Sequence, residues 1–573
     1  MSSSNDRPLI VQADGTILLE TRHRLYDQAR QVLAVFAELE KSPEYIHTYR
    51  VTPVSLWNAA AGGLASHELL ETLTGLSRYQ LPASVRKDIT EYMARYGRLQ
   101  LVKGGDQLVL RSSDAALLAE ICRHRTAGQY VVEHVGPREA VINPRYRGHF
   151  KQAVTRLGFP VQDLAGYIEG ARLELALRDR SRSGRPFALR AYQQEAVDAF
   201  HSGGGLAGGS GVIVLPCGAG KTVVALGVMH RTRCHTLIIC THANAVTQWR
   251  EELLDKTTLE PGQVGEYTGR RKQLCPVTLA TYQILTHRRS RAGEFTHFGL
   301  FEKGEWGLII YDEVHLLPAP VFRLTAELQA RRRLGLTATL VREDGREVDV
   351  FSLIGPRRYA APWKTMEHAG WIAPATCYEL RVPCSPSLRA QYAEAEGQDR
   401  YRAVAENPDK LGVVEGLVRL HRPRGDRVLV IGQYLSQLGL IAGRLGAPLV
   451  TGETPAEERD RLYAAFRSGD TPVLVASRVA NYSLDLPEAS VAIQVSGVFG
   501  SRQEEAQRLG RVLRPKGDGR GAVFYTVVTV DSVDQDYAHQ RQQFLTEQGY
   551  SYRVVDCSAG DLGGVLAEGG ASE

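Results

Sequence analysis

The stretch Gly211-Val212-Ile213-Val214-Leu215-Pro216-Cys217-Gly218-Ala219-Gly220-Lys221-Thr222 decides the fold class. Five residues, 211–215, read as an apolar buried strand, and residues 223–231 read as a helix. Between them runs a turn, Pro216, Cys217, Gly218, Ala219 and Gly220, that ends in Lys221 and Thr222. Glycines let main-chain N–H groups turn inward around phosphate oxygens at a helix N-terminus. In such a loop the lysine neutralises the β/γ-phosphates and the threonine offers its hydroxyl to Mg2+. The strict Gly-x4-Gly-Lys-Thr pattern wants glycine at 215, where Leu215 stands, so the loop is the shorter helicase-type form. A strand, a phosphate loop and a helix make the first unit of a parallel α/β sheet.

Working outward, apolar strands are predicted at 236–240, 276–280, 306–311 and 333–337. A second alternating series runs through 427–431, 472–476, 490–495 and 521–527. Each series is long enough for one α/β domain, at 187–365 and 366–557. In the first, Leu308-Ile309-Ile310-Tyr311 ends in Asp312-Glu313-Val314-His315. Acidic residues at the end of a parallel strand sit at the ligand-binding edge of such a sheet. Asp312 can hold Mg2+ through water, and Glu313 can polarise an attacking water. His315 is expected to face the gap between the domains as a relay. In the second, Gln507, Arg511 and Arg514 share one helical face by three- and four-residue spacing. Two arginines there can reach across a cleft to a γ-phosphate and stabilise its transition-state charge.

Upstream lies a different pattern. Short helices are predicted from Pro53, over 69–76 and from about 84 to 97, followed by a hairpin, 99–103 with 107–111, around Gly104-Gly105. Three helices and a hairpin make a winged-helix-like order for residues 1–112. The third helix carries Arg86, Lys87 and Arg95, which suit a nucleic-acid face, a solvated helix face or a protein-docking module. Residues 113–180 read as a small α+β module, with a helix at 115–123, strands at 130–135 and 140–143 and a helix at 146–157. The breaker-rich run 178–186 reads as a linker. Residues 558–573 read as a Gly-rich flexible tail.

Composition agrees with a globular chain: of 573 residues 43% are hydrophobic and 23% charged, which excludes disordered, collagenous and coiled-coil classes. The net charge, +5, is too small to prove a polyanion partner by itself. No apolar run reaches the ~18 residues of a membrane span. The N-terminus lacks the apolar core of a signal peptide. Eight cysteines form no Cys-x-x-Cys pair, so neither zinc nor an iron–sulfur cluster is indicated. A cytoplasmic chain is expected, nucleoid-associated in a prokaryote.

Taken in order, these pieces resemble a superfamily 2 helicase, with motif I at 216–222, motif II at 312–315, motif III at Thr337-Ala338-Thr339 and motif VI at 507–514. Leu189-Arg190-Ala191-Tyr192-Gln193 resembles the adenine-reading region of that superfamily, which implicates Arg190 and Gln193. Within it, the chain resembles the xeroderma pigmentosum group B (XPB) DNA repair helicase family. The residues that carry this are Leu336-Thr337-Ala338-Thr339-Leu340-Val341-Arg342-Glu343-Asp344, Leu353-Ile354-Gly355-Pro356 and Asp485-Leu486-Pro487-Glu488-Ala489. A further run is Arg502-Gln503-Glu504-Glu505-Ala506-Gln507-Arg508-Leu509-Gly510-Arg511-Val512-Leu513-Arg514. The likeness covers 187–555, and more weakly the N-terminal 110 residues; 113–180 falls where the family carries a damage-recognition-like domain.

The resemblance implies two RecA-like parallel-sheet domains preceded by small α+β modules. It implies ATP and Mg2+, and a DNA helicase or translocase of 3′→5′ polarity that opens duplex during repair. It implies coupling roles for His315, Thr337 and Thr339, a nucleotide-to-strand role for Asp485 in motif V, and strand separation at Arg342, Glu343 and Asp344. The stretch 385–410 falls where the family often has a thumb-like insertion. Residues 241–245 and Thr281-Tyr282-Gln283 fall where related motors grip backbone phosphates, so Thr281 and Tyr282 are expected at DNA, with little sequence preference. Tyr282 and Trp249 either stack on bases or pack inside. Arg331-Arg332-Arg333 is expected to be structural or electrostatic. The expected partners are DNA, as fork, duplex or single strand, and a nuclease or repair complex, for a monomeric motor. Three rivals stay open: an RNA helicase, the motor subunit of a nuclease-linked defence system, and an ATP-gated DNA-binding scaffold.

Overall fold

In the computed structural model the chain divides into two compact units, residues 1–215 with 220–361, and residues 362–573 with 216–219. The structure describes residues 6–42, 45–205, 208–216, 218–288, 296–297, 300, 304–317, 321, 325, 331–338, 347–361, 363–477, 489–497, 521–547, 550 and 552–557.

The first unit begins with a four-stranded antiparallel sheet in the order Leu9–Val11, Thr16–Glu20, Ile46–Arg50, Glu38–Lys41. Sequence reasoning did not foresee it, because its strands are only three to five residues long. Helices Pro53–Ala61, Ser66–Leu76 and Ala83–Arg95 follow, as expected. Thr52 caps the first by accepting from the Ser55 N–H, and Ser55 returns the bond to the Thr52 N–H. Leu19, Leu33, Leu56, Leu73 and Ile89 bury one core between this sheet and these helices.

The hairpin Leu99–Gly104 with Gln107–Ser112 forms, but it is not a wing on those helices. It lies inside a five-stranded sheet ordered Val131–Gly136, Glu139–Ile142, Gln107–Ser112, Leu99–Gly104, Val161–Leu164. Its inward side chains, Leu99, Leu101, Leu108 and Leu110, pack with Leu117 and Ile121 of helix Ala115–Arg123 and with Phe150 and Val154 of helix Arg147–Arg156. The boundary expected at 112 therefore falls between Arg95 and Leu99, and the winged-helix order is corrected to two α+β modules. Hairpins are local, but which helices cover one is decided by residues far along the chain.

The run expected to be a linker, 178–186, is strapped to the α/β domain instead, together with the residues from 170 that lead into it. Ala171 N–H donates to Glu305 O, Leu173 N–H to Arg233 O, Arg178 N–H to Lys256 O and Arg182 N–H to Asp255 O. At Gly170, with φ +76°, a Cβ would lie 2.2 Å from the Gly307 nitrogen, so the two main chains pass where no side chain fits. The modules also dock through helix Arg147–Arg156 on helix Glu347–Leu353. Gln152 Nε2 and an Arg156 guanidinium nitrogen reach Asp349 Oδ1 at 2.6 and 2.9 Å, and Asp349 is buried.

The α/β domain of this unit is a seven-stranded parallel sheet ordered Val264–Tyr267, Val277–Thr281, Thr236–Cys240, Leu308–Asp312, Arg332–Thr337, Ser210–Val214, Arg357–Ala360. Its central strands are buried almost throughout, as apolar strands covered on both faces must be. Arg333 is fully buried, with Nε donating to Leu353 O, so the Arg331–Arg333 run is structural.

The second unit is also a seven-stranded parallel sheet, ordered Leu449–Val450, Val473–Ala476, Val428–Ile431, Val491–Gln494, Ala522–Thr529, Ala375–Val382, Tyr552–Asp556. The stretch 385–410 holds helices Pro386–Glu394 and Gly397–Ala405 and the start of Asp409–His421. Tyr401 and Val404 seat it against Val533 and Tyr537. Among the described residues no helix is long and apolar enough to cross a membrane.

Candidate nucleotide site

Three strands of the first unit end side by side. Val214 is in register with Thr337, and Asp312 with Leu336, so the segments after 214, 312 and 337 leave one edge of the sheet together. The strand Ser210–Val214 turns through Gly218 (φ +83°) and Gly220 (φ +80°) into helix Lys221–Thr232. Leu215 N–H donates to Thr337 O at 3.0 Å, which pins the start of the turn to the neighbouring strand. Gly220 is the left-handed residue before the helix, and a Cβ there would meet Gln193 Nε2 at 2.6 Å. Gln193 is buried; its Oε1 accepts from the Arg190 N–H at the start of helix Ala191–His201, and an Arg190 guanidinium nitrogen reaches the Tyr192 hydroxyl. Gln193 is thus beside the phosphate loop, and Arg190 three residues before it at the start of the same helix.

Lys221 Nζ lies 3.2 Å from Glu313 Oε1, and both side chains are largely buried. Glu313 takes a left-handed backbone (φ +50°), a cost of about 1 kcal/mol for a residue with a Cβ. Burial pushes its carboxyl up, but the Lys221 ammonium and His315 more than offset this and hold it below the usual range. Asp312 goes the other way, pushed up to about 6 by burial and by the charge of Glu313, against the pull of the Trp249 indole. His315 is buried; its Nδ1 lies 3.5 Å from Glu313 Oε2 and 2.6 Å from Thr337 Oγ1. Lysine, glutamate, histidine and threonine therefore form one chain of contacts between the loops after three strands. Thr222 sits in the first turn of the helix, half-buried.

Trp249 and Tyr282 are buried and offer no face to a base, which corrects the expectation for Tyr282 and decides that for Trp249. Trp249 Nε1 donates to Asp312 Oδ2, and Tyr282 Oη donates to the Asp312 main-chain carbonyl, each at 2.9 Å. Thr281 is buried as well, its hydroxyl capping helix Tyr282–Leu285. Neither side chain is displayed to DNA. No spacing rule could have found the Trp249 contact, which joins residues 63 apart. Cys217, Thr339, Arg342, Glu343, Asp344, Asp485, Gln507, Arg511 and Arg514 lie outside the described residues.

Comparison with known proteins agrees with this geometry. Residues 366–561 match the family model "ERCC3/RAD25/XPB C-terminal helicase". Residues 186–342 match "Type III restriction enzyme, res subunit", and 9–136 match "Helicase conserved C-terminal domain". The "DNA 3'-5' helicase XPB" of Kineococcus radiotolerans is 54% identical over 98% of this chain and 99% of its own. The protein of that name in Mycobacterium tuberculosis is 51% identical over 96% and 98%. The "General transcription and DNA repair factor IIH helicase/translocase subunit XPB/SSL2" of Saccharomyces cerevisiae is 30% identical over 96% of this chain and 72% of its own. With two RecA-like parallel sheets, a lysine and a glutamate meeting at the edge of the first, and such likeness end to end, this chain belongs to the XPB family of helicases.

Proposed function

We propose that this protein is an ATP-dependent DNA helicase or translocase of 3′→5′ polarity that opens duplex DNA during repair. The observation that carries the reading is the meeting of Lys221 and Glu313 beside a left-handed glycine loop at the strand ends of a RecA-like sheet. In this reading the main-chain N–H groups of Gly218 to Lys221 and the Lys221 ammonium hold the β/γ-phosphates. ATP entry draws Lys221 from the carboxylate, and Glu313 is then free to orient and deprotonate the attacking water. His315 and Thr337 keep that carboxylate aimed. Gln193 and Arg190 read the adenine in this scheme.

Asp312 and Thr222 fit a Mg2+ ion: a buried carboxyl whose ionisation is resisted by its surroundings gains most from a cation, and the hydroxyl belongs to the first turn of the adjoining helix. Bound there, the ion neutralises charge on the β/γ-phosphates. Arg511 and Arg514 supply guanidinium groups for the phosphate charge in this scheme, and Gln507 an amide. Asp485 couples nucleotide to strand, Arg342, Glu343 and Asp344 part the strands, and Thr339 acts with Thr337. The DNA grip falls to the main chain and exposed polar groups of 241–244 and 281–283, since phosphate contacts carry affinity without sequence choice. The reading extends to a cytoplasmic motor that serves a nuclease or repair complex.

ATP turnover with and without single-stranded, duplex and forked DNA tests this, with RNA as the control. Stimulation by DNA above RNA is expected. Lys221→Ala should lower turnover at least about a hundredfold; wild-type turnover in that variant would remove the phosphate-loop assignment. Unwinding of a 3′-tailed but not a 5′-tailed duplex checks the polarity.

A further inference from the structure

Asp312 is held from two directions by aromatic side chains that the nucleotide chemistry does not require. Trp249 comes from the second turn of helix Ala243–Lys256, which follows strand Thr236–Cys240, and its indole N–H reaches the carboxylate at 2.9 Å. Tyr282 comes from the short helix Tyr282–Leu285, which follows strand Val277–Thr281, and its hydroxyl reaches the Asp312 carbonyl at 2.9 Å. Both rings are buried, so neither can be a DNA contact. The loops from which these two elements start are tied together: Gln283 Nε2 donates to Thr241 O at 2.7 Å. Each start is also locked by a side-chain cap, His242 Nδ1 accepting from Ala245 N–H and Thr281 Oγ1 from Ile284 N–H. Around these caps Ala243, Asn244, Thr247, Gln248 and Gln283 are exposed. Close-packed interiors transmit strain, which links the exposed turn of each helix to the buried ring it carries.

We propose that Trp249 and Tyr282 are positioning residues that carry DNA occupancy of the loops at 241–244 and 281–283 to the carboxylate and main chain of Asp312. This rests on the reading of the chain as a DNA-stimulated ATPase. DNA on the exposed turns shifts the Thr241–Gln283 pair, the two helices follow, and the two hydrogen bonds set where Asp312 stands. Each bond touches a different part of the same residue: the indole fixes the carboxylate, the phenol the peptide at its base. Together they determine both position and aim. The coupling is reciprocal, so nucleotide with Mg2+ also alters DNA affinity by the same factor.

Two ratios test the proposal: ATP turnover with over without saturating duplex DNA, and the Kd of a fluorescent ADP analogue with Mg2+ without over with that DNA. The variants Trp249→Phe and Tyr282→Phe keep a ring and lose the donor. Each should bring both ratios toward one, by about fivefold or more. Gln283→Ala, at an exposed site, should lower both ratios in the same direction and serves where a buried variant fails to fold. Variants whose absolute turnover and Kd change while both ratios stay at wild-type values would overturn the proposal, because a merely structural role moves both states alike. A wild-type protein with both ratios at one would instead remove the DNA-stimulated reading on which the proposal stands.

Discussion

At the scale of the residue, small displacements of single side chains decide the chemistry. Gly220→Ala is expected to weaken ATP binding about tenfold, since a Cβ at φ +80° is strained and meets the Gln193 amide at 2.6 Å; equilibrium titration with an ATP analogue checks it. His47 gives a pH prediction. It is buried against Tyr26, whose hydroxyl lies 3.1 Å from Nδ1, and burial together with the Arg30 guanidinium lowers its pKa to about 4. A group depressed on folding contributes stability above its unfolded pKa, near 6.5, and loses it as pH falls through the folded value. The unit should therefore lose about 3 kcal/mol between pH 6.5 and 4. Urea melts at these pH values should show it, and His47→Gln should flatten the dependence. The meeting of the loops that carry Lys221 and Glu313 was legible in the sequence because each motif keeps its residues adjacent in the chain. Trp249 and Tyr282 were not, since their partner comes from another strand and nothing local marks it.

At the scale of the element, the inner strands of the first parallel sheet, and all but one of the second, were readable because burial on both faces writes a continuous apolar run. Ala375–Val382, inner in the second sheet, was missed because Tyr378, Glu379 and Arg381 interrupt that run. The outer strands were not readable either. Val264–Tyr267 contains Gly265 and Glu266, and Arg357–Ala360 begins with two arginines, so neither carries that signature. The hairpin at 99–112 was found as a hairpin and given the wrong helices, because a turn reports its own two strands and not the sheet they join. Helix Glu347–Leu353 offers a test at this scale. Asp349 accepts from Gln152 and Arg156 across the docking of the second module. Asp349→Ala leaves those donors without their acceptor and should cost about 1–3 kcal/mol. A lower midpoint in thermal unfolding, with hydrogen exchange rising first in helix Arg147–Arg156, is the expected outcome.

At the scale of the whole molecule, two α/β domains and preceding α+β modules were legible from the change in periodicity near residue 187, whereas the attachment of those modules was not. A breaker-rich, arginine-rich run looks the same in a free tether and in a strap, because backbone bonds leave no trace in side-chain type and an arginine does not announce its acceptor. Arg178 and Arg182 donate their N–H groups to Lys256 O and Asp255 O, and their guanidinium groups to Thr257 O and Leu259 O. Proteolysis is expected to spare the arginines of this run in the folded protein, and fragment masses after brief trypsin treatment check it.

The strap has a mechanical consequence. With its main chain stitched along the ATPase body, and two glycines back to back at 170 and 307, the forward modules have no swivel. They ride with that body as the jaw of a wrench rides with its handle, so a load met at the front is borne by the engine casing itself.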